Sequence, residues 1–224
     1  MVLERRVFAL AFLFLGCTQF ERDNIYDREA ENFVAGCTES PVPANHLCDA
    51  RTGLYRYVQI DNLLWMAENL NYKSSGSKCY DDKPENCAKY GRLYNWTAAI
   101  KACPAGWRLP SEAEWEALVD FVGGSYMAGT KLKATWGWNW DTSRKITGNG
   151  SDDYGFSALP GGYGSPEGNS FYYAGENGYW WSSTEYVYYD VYAYYLSMGY
   201  NSYSTSESDN IKEYMYSVRC VKGN

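Results

Sequence analysis

The chain has one histidine, His46, in 224 residues. Nucleophile systems of the Ser-His-Asp or Cys-His kind cannot be assembled around the body of the chain, and no His/Cys zinc cluster is available. Lys and Arg are scarce as well: 20 against 27 Asp and Glu, for a formal charge of −7 and a pI near 4.8. Binding to a phosphate backbone relies on clustered basic residues, so nucleic acid is excluded as a partner, and an anionic membrane surface is disfavoured for the same reason. Long apolar runs are missing outside the first sixteen residues, and the run from Val7 to Leu15 is itself too short to span a bilayer.

That leading run has a different meaning. MVLERRVFALAFLFLG carries Arg5 and Arg6, then the apolar stretch, then Gly16 immediately before Cys17. We expect residues 1–16 to be a secretory signal. Ending at Gly-Cys is similar to a bacterial lipobox, which implies lipidation of Cys17 and a bacterial cell-envelope location, at the outer membrane or cell surface, with membrane contact only through that anchor. Removing one Glu and two Arg takes the charge from −7 to −8. Of the seven cysteines, six then remain, Cys37, Cys48, Cys79, Cys87, Cys103 and Cys220, an even number in an oxidising setting. Fifteen connectivities are open. Order along the chain favours 37 with 48, 79 with 87, and 103 with 220, the last worth roughly 4 to 5 kcal/mol on the chain-entropy model.

Residues 17–50 show little periodicity, and Pro41 and Pro43 would break a helix, so this stretch reads as a tether with residues 51–224 as the domain. LYRYVQI (54–60) and LLWMA (63–67) flank Asp61 and Asn62 as a β-hairpin. Asn95 is a credible N-cap for a helix whose inner face is Trp96, Ala99, Ile100 and Cys103. A second helix opens at Pro110-Ser111, with Glu114 completing a capping box, Trp115, Leu118, Val119 and Val122 as its stripe, and Gly123-Gly124 as its end. The glycine-rich stretch from about 131 to 178 predicts a long irregular region. GYWWSS, YAYYLSM and MYSVRCV then read as three strands.

Two helices in series, a cysteine closing the first, a long loop region and terminal strands with a late cysteine resemble the C-type lectin-like fold, an α+β architecture. The motifs WMAENLNY (65–72), CYDDKPENCAKYGRLYNW (79–96), CPAGWRLPSEAEW (103–115), GTKLKAT (129–135), DDYGFSALPGG (152–162), WWSSTEY (180–186) and SVRCV (217–221) resemble the Fibrobacter succinogenes major paralogous domain, a family of exported bacterial modules grouped with that fold. The resemblance implies no reaction. Calcium-dependent lectins bind sugar through paired triplets. Here SPEGN, with Pro166 and Glu167, and WNWD, from Trp138 to Asp141, leave neither triplet intact. RLPSEAEW is also similar to formylglycine-generating enzymes, but their reactive cysteine pair near the C-terminus is reduced here to Cys220.

Other chemistry is thin. Asn149, Ser151, Asp152 and Asp153 offer oxygen ligands at a spacing calcium would accept, although a capped turn explains them equally. Asp152, Asp153 or Glu185 would be the carboxylates of a carbohydrate-active enzyme. We therefore expect no enzyme and no required cofactor, calcium being the one candidate. What stands out is the C-terminal third. Fourteen tyrosines fall between Tyr163 and Tyr216, seven of them with two tryptophans in YWWSSTEYVYYDVYAYY (179–195). A core would favour Leu, Ile and Val and would struggle to satisfy so many phenolic hydroxyls. Trp180 and Trp181 are expected in the core. Tyr186, Tyr188, Tyr189, Tyr192, Tyr194, Tyr200 and Tyr203 have the Tyr/Ser/Gly/Asn setting of a paratope. They are expected to form the binding face of a surface-anchored, non-catalytic module, with a glycan or a protein as ligand. The alternatives are the enzymes named above or a purely structural envelope role.

Overall fold

Adjacent tryptophans on one strand must point to opposite faces, and Trp180 and Trp181 show how the molecule is layered around that rule. The computed structural model describes residues 42–223. Trp180 enters a core with Ile60, Trp65, Trp115, Leu118, Phe156 and Leu196. Trp181 enters a second one with Tyr55, Met66, Leu70, Tyr94, Tyr216 and Val218. Both indoles are fully buried, and each finds an acceptor: Trp180 Nε1 donates to Asn69 Oδ1 at 2.9 Å and Trp181 Nε1 to the Tyr94 carbonyl at 2.8 Å.

The structure is a mixture of short helices and antiparallel sheets, as an α+β chain requires. The first sheet joins the two ends of the domain. β1 (His46–Asp49), β2 (Gly53–Ile60), β3 (Leu63–Met66) and the last strand, β13 (Val221–Gly223), lie in that order, with Val221 opposite Trp65. The β2–β3 hairpin turns where the sequence places it, with Asp61 at φ 53°. His46–Asp49 falls within the stretch read as a tether, yet it pairs with β2 and buries Leu47 and Asp49 on alternate positions. The domain therefore begins earlier than residue 51. Cys37, the expected partner of Cys48, lies outside the described residues, as do residues 1–16, expected to be a signal, and Cys17, the expected lipidation site.

β4 (Ser77–Lys78) pairs with β5 (Leu93–Tyr94) around α1 (Pro84–Tyr90), a helix that starts inside the loop closed by the Cys79–Cys87 disulfide and runs past it. This helix, which Pro84 starts from its first turn, is unassigned from the sequence. α2 (Trp96–Ala102) is capped by Asn95, whose side chain accepts from the Ala98 N–H at 2.9 Å. Its buried face is Ala99 and Ala102 with Trp96 and Cys103 alongside, whereas Ile100, predicted inward, is exposed. Cys103 bonds Cys220 across 117 residues.

α3 (Glu112–Phe121) carries the reciprocal capping box: Ser111 Oγ accepts from the Glu114 N–H, and Glu114 Oε2 accepts from the Ser111 N–H at 2.8 Å. Arg108 adds a bidentate pair to Glu114, which holds that carboxyl below its usual range. α4 (Ser125–Leu132), unassigned from sequence, contains Gly129. A Cβ there would sit 2.7 Å from the carbonyl oxygens of Tyr203 and Ser204, so only glycine lets this helix approach the turn beside it.

The region from 131 to 178 is irregular as expected, with only two-residue pairings: β6 (Trp140–Asp141) with β7 (Ile146–Thr147), and β8 (Tyr163–Gly164) with β9 (Phe171–Tyr172). It is held by its backbone. Gly150, Ser151, Asp153 and Ala158 donate N–H groups to the carbonyls of Ala134, Thr130, Lys131 and Leu132, satisfying the open C-terminal end of α4.

The second sheet is a meander of β10 (Asn177–Glu185), β11 (Tyr192–Gly199) and β12 (Thr205–Ile211). Its third strand is TSESDNI, not the predicted MYSVRCV. Six of its seven side chains are polar and mostly small and give no hydrophobic alternation, and β12 owes its existence to continuous pairing with β11. The segment 215–221 is instead a fully buried extended stretch, bridging singly to Tyr94, Gly164, Trp180 and Arg108. Within it Arg219 is wholly buried and donates to Asn69 Oδ1 at 2.7 Å and to the carbonyls of Met66, Ser157 and Phe156. It ties the late segment to β3 and to the irregular region.

Candidate functional site

The β10–β11 hairpin carries most of the nominated tyrosines. Its pairing shifts between Trp181 and Glu185, a bulge that interrupts the ladder before the turn. The Tyr186 N–H donates to the Tyr192 carbonyl at 3.0 Å and the Tyr192 N–H to the Tyr189 carbonyl at 3.1 Å, closing a short loop. Lys212 pins this end from the neighbouring strand: its N–H donates to the Val191 carbonyl, and its ammonium reaches Glu185 Oε2 at 2.9 Å and the Asp190 carbonyl. The same ammonium lies 4.5 Å over the Trp96 ring.

Five tyrosines gather on this anchored tip. Tyr186 is the hub, with ring centroids 5.5 Å from Tyr188, 6.3 Å from Tyr189, 6.4 Å from Tyr192 and 5.5 Å from Tyr194, and Tyr189 meets Tyr192 at 6.1 Å. Such ring pairs attract one another through their quadrupoles, which restricts their rotamers, although at exposed positions the gain in stability is small. Tyr188 is 77% exposed and Tyr189 64%, and Val187 and Val191 beside them are exposed too. The site thus presents rings to solvent in a largely preset arrangement.

Tyr200 and Tyr203 do not join this group. They sit past the other end of β11, roughly 20 to 25 Å away by strand rise. Tyr200 packs partly against the first core, and the Tyr203 carbonyl accepts from the Thr130 N–H at 3.0 Å. Strand length separates what composition had grouped.

Carboxylates border the ring cluster. Glu112, Glu116 and Glu207 have oxygen atoms within 4.8 Å of one another, and Asp209 lies opposite Tyr194 in the β11–β12 register. Burial, followed by repulsion from Glu116, Glu112 and Asp120, pushes the Glu207 carboxyl up to about 7. Glu112 is shifted upward by burial and by Glu116. The Tyr194 phenol is raised by desolvation and then by Glu112, Tyr186, Asp209 and Tyr188. This convergence of acids comes from an i, i+4, i+8 stripe on α3 meeting β12, and β12 itself was not legible.

A second ring cluster was missed. Tyr163 meets Tyr172, Tyr173, Tyr179, Tyr214 and Tyr216 at 5.2 to 6.3 Å. Tyr216 continues it inward to Trp181 at 4.4 Å, Tyr195 at 4.9 Å and Tyr179 at 5.2 Å. Tyr216 is 2% exposed, its hydroxyl accepts from Asn210 Nδ2 at 2.6 Å, and burial drives its ionisation far above the usual range. Of this group Tyr172 and Tyr173 are exposed, Tyr216 is buried and the other tyrosines are half-buried.

The oxygen-rich stretch after the glycines is occupied with its own chain. Asn149 Oδ1 accepts from the Trp138 N–H, and the Ser151 hydroxyl donates to the Thr130 carbonyl. Asp152 takes the Ser157 N–H at 2.7 Å and its hydroxyl at 2.6 Å, while Asp153 is exposed. Asp141 of WNWD is likewise engaged by Ser143 and Arg144, which hold its carboxyl low. Glu185 is paired with Lys212. His46 Nδ1 lies 3.0 Å from the Ala44 carbonyl at the start of β1. A small cleft of about 90 Å³ lies elsewhere, between Arg56, Asn69, Lys89, Tyr90 and Trp136. Among the described residues no helix is long and apolar enough to cross a membrane.

A search of curated proteins and a search of solved structures each found no match. The family model described as the Fibrobacter succinogenes major domain matches residues 58–222, from within β2 to β13 and thus across α1 to α4 and the β10–β12 meander. The chain belongs to that family.

Proposed function

We propose that this protein is a non-catalytic binding module that holds its ligand against the tyrosines of the β10–β11 hairpin. The observation that carries this reading is the mutual contact of Tyr186, Tyr188, Tyr189, Tyr192 and Tyr194 at an exposed tip with an ion-paired, ring-backed base. Rings that hold each other in place lose little entropy when a partner arrives, and they offer amphipathic contact area. The organisation fits the C-type lectin-like arrangement of two helices, a long irregular region and late strands stapled by a disulfide. Export and lipid anchoring through Cys17 would place the module at the cell envelope, where a glycan or a protein is the ligand at hand.

The test is retention of the protein on a glycan array and on insoluble polysaccharides, alongside capture of envelope and extracellular proteins, repeated with Tyr→Ala changes at 188, 192 and 194. Retention that disappears in the variants supports the module. Retention that survives all three changes would move the site elsewhere, and no retention of any kind would leave a structural envelope role.

A further inference from the structure

The hairpin face is not neutral, and its charge says what kind of ligand it suits. Residues opposite one another in an antiparallel pair share a side of the sheet, so Tyr194 with Asp209 and Leu196 with Glu207 face the same way. Leu196 packs under α3, against the core containing Trp115 and Leu118. The exposed stripe of α3, Glu112, Glu116 and Asp120, therefore runs beside Glu207 and Asp209, and this acidic strip continues into Tyr194 and the hairpin rings. Among the described residues none of these five carboxylates forms an ion pair. The nearby cation, Lys212, is held by Glu185 and Asp190. Crowded, unpaired carboxylates next to exposed π faces form a surface that attracts cations through both ion pairing and ring quadrupoles.

We propose that this face binds a polypeptide segment bearing Lys or Arg side chains, cationic heads engaging the α3–β12 carboxylates while the hairpin tyrosines cover its stem. A polypeptide suits the extent of the face. From Tyr192 to Leu196 alone the strand advances roughly 13 Å, so a single small cation would leave most of the strip uncovered, whereas an extended segment reaches rings and carboxylates together. This assignment rests on the hairpin being the binding site and names the chemistry of its occupant.

The experiment is selection of a random dodecapeptide display library on the immobilised full chain, with cellohexaose and a glucosamine hexamer measured in parallel. Recovered peptides are expected to be enriched in Lys and Arg. Their affinity should fall at least tenfold in Tyr188→Ser/Tyr189→Ser, and at least threefold in Glu116→Gln/Glu207→Gln, where the weaker attraction also flattens the salt dependence. Recovered peptides that are neutral or acidic would overturn the proposal, as would no enrichment over the Tyr188→Ser/Tyr189→Ser protein. So would basic peptides indifferent to the tyrosine changes, which reflect net charge alone. Tyrosine-dependent binding of either hexasaccharide without basic peptides would keep the hairpin as a binding site and remove the polypeptide. Loss of every tyrosine-dependent signal would remove both.

Discussion

The two tyrosine clusters are made from the same residue in the same third of the chain and have opposite fates. The inner one centres on Tyr216, backed by Trp181, Tyr179 and Tyr195, with its hydroxyl held by Asn210. The outer one centres on Tyr186 and is built of other tyrosines, with exposed Val187 and Val191 and the α3–β12 carboxylates at its border. What separates them is position relative to the bulge after Trp181: before it β10 places Trp180 and Trp181 in two cores, and after it residues 186–191 belong to neither. A tyrosine's role here follows from what lies over the strand, which no local composition states.

Breaking the frame that holds both clusters should have the largest effect. Cys103→Ser/Cys220→Ser is expected to cost about 4 to 5 kcal/mol of unfolding free energy, read from urea midpoints, because the bridge closes a loop of 117 residues. A loss under 1 kcal/mol would show that the buried 215–221 segment holds itself in place. Next, Tyr216→Ala should cost about 3 to 5 kcal/mol as a core cavity, whereas Tyr188→Ala should cost no more than about 0.5 kcal/mol. Equal losses at the two positions would erase the distinction between the clusters.

A smaller effect should appear in the pH dependence of stability. Glu207 is protonated more readily in the folded chain, at about 7, than at the ordinary value of 4.5, so the folded state binds the extra proton between those values. Stability should therefore fall as pH rises from about 4.5 to 7, and Glu207→Gln should flatten that slope and raise the midpoint at pH 8 relative to the parent. Lys133 acts oppositely and in a separate window. Burial lowers it to about 8 from 10.5, which gives stability that rises between pH 8 and 10.5. An unchanged slope in Glu207→Gln would show that the α3–β12 carboxylates are not crowded.

Legibility from the sequence followed local chemistry. The capping box at Ser111, the Asn95 cap, the Asp61 turn and the 79–87 and 103–220 disulfides were all readable, because each is a short-range pattern or a matter of parity and order. β12 was hidden because TSESDNI has no alternation and is a strand only through its neighbour. MYSVRCV has alternation enough for a strand but is threaded through the core, where Arg219 satisfies other elements' carbonyls. α4 was hidden behind Gly129, a poor helix former that is there to let a turn come close. For the site, five of seven nominated tyrosines cluster, because they share one hairpin. Tyr200 and Tyr203 were grouped with them by composition across the length of β11. The acidic border escaped notice, since it needs α3 and β12 side by side.

The most direct test of the account is a paired measurement on Tyr188→Ala/Tyr189→Ala: unfolding free energy, and retention on the ligand panel that captures the parent. The account predicts stability within about 0.5 kcal/mol of the parent and retention reduced at least tenfold. Undiminished retention would contradict it. A stability loss above about 2 kcal/mol would do the same, because it would place those rings among the groups that hold the fold together.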